Sequence, residues 1–177
     1  TYFDNIFAET EKYIQELSDG TTLCALVVED MRGLTEVDGP IWRTMSVSDC
    51  LDQAVARLHK FGGKTYANVK YGFHLPGDAL IEVNPCVIRR VLEAILIYCT
   101  EEALKAEAPE VTIRFHEHKN GSYSLAVSHN GPSLSAAEAK GLLKPKHQRQ
   151  VGMAPRDMLP LVRSLWEDHE GAISLGK

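Results

Sequence analysis

Long hydrophobic runs and a sustained basic stripe are both missing from this sequence of 177 residues. No apolar stretch approaches the ~20 residues that span a bilayer, so we expect no membrane segment and a cytoplasmic location. The net charge of −5 comes without a basic stripe, which argues against a nucleic-acid partner. The sequence also begins without a methionine, and we expect it to be part of a longer chain.

The cysteines lack the spacing of a zinc site or a disulfide framework. There are four, without any CxxC or CxxH pair, and each lies in an apolar, helical context: Cys24, Cys50, Cys86 and Cys99. We interpret them as small buried thiols in a reducing compartment, with a zinc site or a disulfide as the alternative.

Two further groups of side chains can be interpreted either as solvent-exposed surface residues or as functional sites. His116 and His118 would lie on one face of a strand, a spacing that metals can use, but no third ligand is evident. We therefore predict no metal site. The basic run 144–149 is either a solvated loop or a contact for an anion or an acidic partner. No nucleophile-elbow motif supports a hydrolase triad.

The first part of the chain has the spacing of a long helix. Apolar residues recur in alternating steps of four and three from Phe3 to Met31, which predicts a helix over 2–35 with a heptad-like seam. At 1.5 Å per residue such a helix extends roughly 50 Å, which suits the stalk of a bundle. The alternative is two shorter helices broken near Gly20. Gly39 and Pro40 end the pattern.

The remaining residues alternate between strand and helix patterns. Asn84 and Pro85 predict a capped helix start, and Asn120-Gly121 predicts a hairpin turn. The predicted strands cover 41–45, 66–74, 79–83, 111–117, 122–128 and 171–175, and the predicted helices cover 46–61, 85–104, 135–143 and 153–169. We predict an α+β fold with two domains. A stalk helix over 1–38 precedes an α/β sandwich over 39–177, whose mixed, mostly antiparallel sheet has helices on one face.

Four segments resemble one family, in order along the whole chain. They are similar to the end of the second stalk helix, the asparagine-box helix, the first glycine box and the final helix with its following strand, at 26–34, 84–100, 128–133 and 159–173. The chain resembles the second dimerisation helix and ATPase domain of a sensor histidine kinase, within the group that includes gyrase, the Hsp90 chaperones and MutL. The resemblance implies a nucleotide pocket between these motifs.

The residues that would hold the nucleotide depart from the family pattern. Ala94 and Tyr98 stand where the resemblance implies asparagines that contact the phosphates and magnesium. His129 replaces the aspartate that binds adenine, Gly131 is retained, and Ser133 stands where a second glycine is expected.

The second glycine box is also lost. The matching run 154–159 contains no glycine, Pro155 removes an N–H donor, and Arg156 follows it. We therefore predict a vestigial pocket at Ala94, Tyr98, His129, Gly131, Ser133 and Arg156. We predict no catalytic residue, no metal and no bound cofactor.

The resemblance then implies a signalling role without ATP. None of the seven histidines falls in 1–35, so the phosphoacceptor of a stalk helix is missing from this sequence. We predict a pseudokinase, adaptor or histidine phosphotransferase. It would dimerise through its stalk helix and dock a response-regulator receiver domain, another kinase or its own sensory domain.

Two alternatives stay open at this point. A divergent but active kinase would bind ATP and magnesium with compensating contacts from His129 and Arg156. Otherwise, a pocket remodelled for a different small ligand would use Tyr98 as one wall.

Overall fold

The computed structural model describes residues 6–7, 9–10, 12–14, 17, 42–77, 79–144, 155–169 and 171–175. The chain divides into two compact units, Thr1–Pro40 and Ile41–Lys177. In the first unit every described residue is helical, and Phe7 and Leu17 expose 70% and 71% of their surface. The rest of the predicted stalk helix lies outside the described residues. Its length and its pairing with a second copy stay predictions.

The second unit alternates strands and helices in nearly the predicted order. Its elements are β1 Arg43–Ser46, α1 Val47–Ala67, β2 Lys70–His74, β3 Leu80–Val83, α2 Pro85–Ala103, β4 Glu110–Glu117, β5 Tyr123–His129, α3 Ala136–Leu142 and α4 Pro155–Glu167. No helix in the described ranges has the length and apolar character needed to cross a membrane.

The strands form two sheets rather than the single sheet that the sequence predicts. β2 runs parallel to β4, and β5 runs antiparallel to β4, so this three-stranded sheet is mixed. β1 and β3 form a separate antiparallel pair. Along β4, Val111, Ile113 and Phe115 are buried while Arg114 and His116 are exposed. The α+β class with a mixed sheet and helices is confirmed.

Helix α2 lies at the centre of this unit because most of its surface is apolar. Asn84 caps it, its Oδ1 accepting hydrogen bonds from the backbone N–H of Cys86 at 2.9 Å and of Val87 at 3.4 Å. Pro85 occupies the first turn, as predicted. The helix packs against α1, α4 and the strands β4 and β5, and ten of its residues are buried.

Helix α1 is longer than predicted and displaces the start of the next strand. The sequence predicts an end near residue 61 and a strand from residue 66, but the helix continues to Ala67 and β2 begins at Lys70. Gly63 has φ 52° inside the helix, which lets the chain kink without ending it. The last turn is held because the Tyr66 hydroxyl donates a hydrogen bond to the Glu101 carboxylate.

The predicted last strand, 171–175, is irregular and pairs with no described strand. The chain turns sharply after α4, where the Gly171 N–H bonds the Trp166 carbonyl at 2.9 Å. A Cβ at Gly171 would lie 2.1 Å from the Trp166 indole nitrogen, so this turn needs glycine. Among the described residues no neighbouring strand offers it hydrogen bonds, and the segment is not a strand.

Candidate functional site

The two α2 positions that the resemblance assigns to nucleotide ligands lie inside the core. Ala94 is 1% exposed and Tyr98 is 6% exposed, and both belong to one hydrophobic cluster with Leu159 and Val162 of α4. They lie four residues apart on α2, which places them on the same face of the helix. This face presents a methyl group and a phenol ring to the protein interior, and Ala94 offers no ligand atom.

His129 ends β5 beside Tyr98. The two ring centroids are 6.2 Å apart and the rings meet edge to face at 83°. Burial lowers the pKa of the His129 imidazole below its ordinary value, the nearby Glu102 carboxylate opposes this, and Lys105 adds to it. The Nδ1 atom of His129 is buried and makes no hydrogen bond with any described residue. At neutral pH the His129 ring is therefore uncharged where it packs against Tyr98.

The loop after β5 lies directly on the end of α2. Asn130 donates a hydrogen bond from Nδ2 to the Ala108 carbonyl at 2.6 Å and accepts one at Oδ1 from the Glu110 N–H at 2.9 Å. A Cβ at Gly131 would lie 1.9 Å from the Glu102 carbonyl oxygen. Glycine is needed here for a close approach of two backbone segments, which closes the space between the loop and α2.

Two charged residues near this site, Lys105 and Glu102, form an ion pair with each other. Lys105 Nζ lies 2.7 Å from Glu102 Oε1, and Glu102 is the more buried partner, with 16% of its side chain exposed. Because the two charges compensate each other, the end of α2 carries no excess positive charge for a phosphate group.

The structure therefore brings together four of the six predicted pocket residues. Ala94 and Tyr98 share a helix face, Tyr98 contacts His129, and Gly131 packs on the same end of α2. Ser133 is exposed in the loop before α3. The side chain of Arg156 and residues 145–149 of the basic run lie outside the described residues.

The histidine pair and the cysteines lie elsewhere in the fold. His118 Nε2 lies 2.9 Å from Ser124 Oγ on the solvent-facing side of the hairpin. The described residues contain no group of three side chains that could hold a metal ion. Cys50 and Cys99 are buried free thiols, as predicted, and burial raises the pKa of Cys99 to about 12. Cys86 is half-buried, and Cys24 lies outside the described residues.

Sequence reasoning missed a cavity at the opposite end of α2. It has a volume of about 600 Å³, is open to solvent on one side and is mainly apolar. Its walls come from the strands β3 and β5, from Ile88 and Leu92 on α2, and from the turn after α4. The one sequence signal for it is the strand predicted at 171–175, for which no described neighbour exists.

Comparison with known proteins identifies the fold. No protein-family model and no curated protein matches the chain. Among solved structures it is similar to the mycobacterial sensor histidine kinase MprB, with a TM-score of 0.60 and 13% identity over 75% of this chain and 83% of that chain. It is also similar to the histidine kinase AdeS of Acinetobacter baumannii, with a TM-score of 0.57 and 15% identity over 87% and 72%.

A third similar structure is the histidine kinase ThkA solved in complex with the response regulator TrrA. The TM-score is 0.58 at 17% identity, over 90% of this chain and 45% of that chain. These likenesses confirm the predicted resemblance at the level of fold, which is that of a histidine-kinase ATPase domain.

Proposed function

We propose that this chain is a two-component-type signalling protein that docks partner proteins without binding ATP. One observation carries the proposal: the two α2 positions that would contact phosphate and magnesium, Ala94 and Tyr98, are 1% and 6% exposed inside the core. A nucleotide would have to displace packed side chains to reach them. The fold supports a place in histidine-kinase signalling, and the buried positions support the loss of nucleotide binding.

The position that would bind adenine has also lost its ligand group. A carboxylate would accept a charge-assisted hydrogen bond from the adenine amino group, whereas the His129 imidazole is neutral and touches Tyr98. Each lost hydrogen bond or unpaired group costs roughly 1–3 kcal/mol. Losses at several contacts together would weaken a micromolar affinity to about the millimolar range.

The partner is best sought among receiver domains. ThkA, whose structure was solved with the response regulator TrrA, shares this fold over 90% of the present chain. Together with the helical first unit, this favours a receiver domain as the docking partner and a homodimer formed through the stalk. If the full protein carries a phosphoacceptor histidine, the same arrangement would serve as a histidine phosphotransferase.

Calorimetric titration of the chain with ATP and magnesium tests the proposal. We expect no saturable heat below millimolar nucleotide, while an ATP-binding histidine kinase in the same buffer serves as the positive control. A dissociation constant in the micromolar range would contradict the proposal. It would favour a divergent active kinase, which incubation with labelled ATP would then reveal as a labelled band.

A second assay separates the adaptor from the phosphotransferase. The full-length protein is mixed with a phosphorylated receiver domain, and phosphoryl transfer to histidine is followed by its acid lability. Transfer that disappears when one histidine is replaced identifies a phosphotransferase. Binding without transfer identifies an adaptor.

A further inference from the structure

Most of the histidines that reach the surface belong to the sheet. The histidines that the structure describes as exposed are His59, His74, His116 and His118. The last three lie in or directly after strands, where side chains of the neighbouring strand stand about 5 Å away. His59 lies on helix α1 instead, so access to its ring depends on the residues one helical turn before and after it.

The helix surface around His59 carries only short side chains. The residues three and four positions away are Val55, Ala56, Gly62 and Gly63, none of them larger than valine. Ala56 is exposed, and a Cβ at Gly63 would have no atom within 4 Å, so the space on both sides is open. The imidazole therefore stands above its helical neighbours, and the surface of another protein can reach it without meeting a longer side chain.

The His59 ring is exposed but held in place. Its centroid lies 5.6 Å from that of the Tyr71 ring, and the two rings are tilted by 56°. The Tyr71 hydroxyl is in turn 2.9 Å from the Thr100 hydroxyl oxygen, and Thr100 is 0% exposed in the core. Because this chain of contacts ends on a buried residue, the imidazole is positioned before any partner arrives, which lowers the entropy cost of a reaction at the ring.

The chain around this histidine carries excess positive charge, although the net charge of the whole sequence is −5. The range 53–77 contains no acidic residue. Arg57 is compensated by Glu93 of α2, whose Oε1 lies 2.5 Å from its Nε. Lys60 and Lys64 are exposed and form no ion pair with any described residue. Two ammonium groups beside the ring favour a doubly negative phosphoryl group there.

We propose that His59 is a phosphoacceptor, which takes the phosphoryl group from an aspartyl phosphate on a receiver domain. The ring nitrogen without a proton attacks phosphorus, and the bond from phosphorus to the carboxylate oxygen breaks with its electron pair left on the carboxylate. The proton on the other ring nitrogen leaves to solvent, so the product is a phosphohistidine with a neutral ring. The proposal rests on the proposed two-component function and names the residue that would make the chain a phosphotransferase.

The other described histidines are less suited to this reaction. The Nδ1 atom of His129 is buried, and its ring packs against Tyr98. His169 is half-buried, with its Nδ1 atom 3.0 Å from the Leu165 carbonyl oxygen. The strand histidines lie in rows of cross-strand neighbours and have no ring contact that would hold them. Access, a fixed ring and unpaired lysines occur together only at His59 among the histidines that the structure describes.

Phosphoramidate, a small donor that phosphorylates imidazoles, tests the reactivity of His59 without a partner. The full-length protein is incubated with it, and mass spectrometry of peptides kept at alkaline pH follows each histidine over time. We expect His59 to be phosphorylated roughly tenfold faster than His116, which is exposed on β4 without a fixed ring. Equal or slower modification of His59 would overturn the proposal.

A matched pair of tryptophan variants tests access by a protein. Ala56→Trp places a large side chain one turn from His59, and Ala137→Trp makes the same change at an exposed position of α3. The receiver domains of the same organism, phosphorylated with acetyl phosphate, are the donors. We expect transfer to the parent chain and to A137W, and transfer to A56W slowed by roughly tenfold or more. Both variants should still react with phosphoramidate, which shows that the ring is intact. Equal transfer to A56W and A137W would contradict the proposal.

Replacing the histidine separates this proposal from the function on which it rests. Transfer from a receiver domain should be lost in His59→Gln and kept in His116→Gln, both of which change exposed side chains. Transfer that persists in H59Q would keep the phosphotransferase function and overturn the assignment of His59.

Two other results bear on the two proposals differently. If no phosphorylated receiver domain transfers to the parent chain, His59 is not a phosphoacceptor and the adaptor function stands. Micromolar binding of ATP would overturn the proposed function, whereas the phosphoramidate rates do not depend on the nucleotide titration.

Discussion

The two ends of helix α2 differ in how completely they are packed. Near Tyr98 the helix meets the His129 ring and a loop whose Gly131 lies against the helix backbone. Near Ile88 and Leu92 the same helix borders an apolar cavity of about 600 Å³. The end that the family resemblance assigns to a ligand is packed, and the end that it leaves unassigned is open.

Truncating two leucines one helical turn apart tests this difference in packing most strongly. Leu96 is 0% exposed, whereas Leu92, four residues earlier on the same face, lines the cavity. Leu96→Ala should lower the free energy of unfolding by about 4 kcal/mol, and Leu92→Ala by nearer 2 kcal/mol, because a residue beside a void has fewer contacts to lose. Urea unfolding of both variants measures the difference. Equal losses would mean that the cavity is closed in solution.

Adding a methyl group at Gly131 tests how tightly the loop lies on α2. A Cβ there would meet the Glu102 carbonyl oxygen at 1.9 Å, and backbone on both sides limits relaxation. We expect Gly131→Ala to destabilise the protein by about 2–3 kcal/mol in urea unfolding. Gly141→Ala is the control, because a Cβ in that helix meets nothing within 4 Å and alanine favours the helix by roughly 0.5–1 kcal/mol. A neutral result at Gly131 would contradict the close approach.

Replacing two buried cysteines with a larger residue tests the same difference in packing, because added volume is tolerated only where there is space. Cys99 is 4% exposed on α2, one residue after Tyr98, and Cys50 is 6% exposed on α1 but lines the cavity. Cys99→Leu should destabilise by about 1–3 kcal/mol because there is no space for added carbons. Cys50→Leu should be neutral or stabilise by up to ~1 kcal/mol, because the added atoms fill a void. Thermal unfolding in a reducing buffer ranks the two. The reverse order would refute the comparison.

The fold was predictable wherever short-range chemistry decides the structure. The cap at Asn84 and the turn at Gly121, which has φ 78°, depend on a few neighbouring residues, and the structure has both where the sequence predicts them. The capping box at Ser135 and Glu138, which was not predicted, starts the helix predicted over 135–143 and is equally short in range. Such motifs are readable because their hydrogen bonds close within three or four residues.

The errors occurred where distant contacts decide the structure. Gly62 and Gly63 suggest a helix end, but the helix resumes because Tyr66 is anchored to Glu101, thirty-five residues away along the chain. The strand predicted at 171–175 has the right alternation, but no strand in the described part of the chain pairs with it. Local propensity cannot report whether a partner exists.

The sequence grouped several candidate residues that the structure brings together, but it did not predict how they pack. Alignment with the family motifs indicated Ala94, Tyr98 and His129 as a group, and the structure places Tyr98 and His129 in contact. Whether the altered residues leave an open pocket or a packed interior depends on the volumes of side chains from α2, α4 and β5 together. No single motif contains that information.

The smallest expected effect concerns the charge state of His129 at the packed end. Burial lowers the pKa of this histidine, with Glu102 opposing the shift and Lys105 adding to it, so folding favours the neutral ring. Its contribution to stability is fully present above the ordinary histidine pKa of about 6.5 and is lost as the pH falls through the lower folded-state value. Unfolding free energies should therefore decrease between pH 7.5 and pH 5.

Two histidine variants test whether His129 causes this pH dependence of stability. In His129→Gln the decrease toward pH 5 should be smaller than in the parent chain, because glutamine does not titrate. His116→Gln is the control, since His116 is exposed on the outer face of β4, and it should retain the parent slope. Parallel slopes for all three proteins would mean that His129 titrates alike in the folded and unfolded chains. Its end of α2 would then admit water, and the packed and open ends would differ less than their side-chain burial indicates.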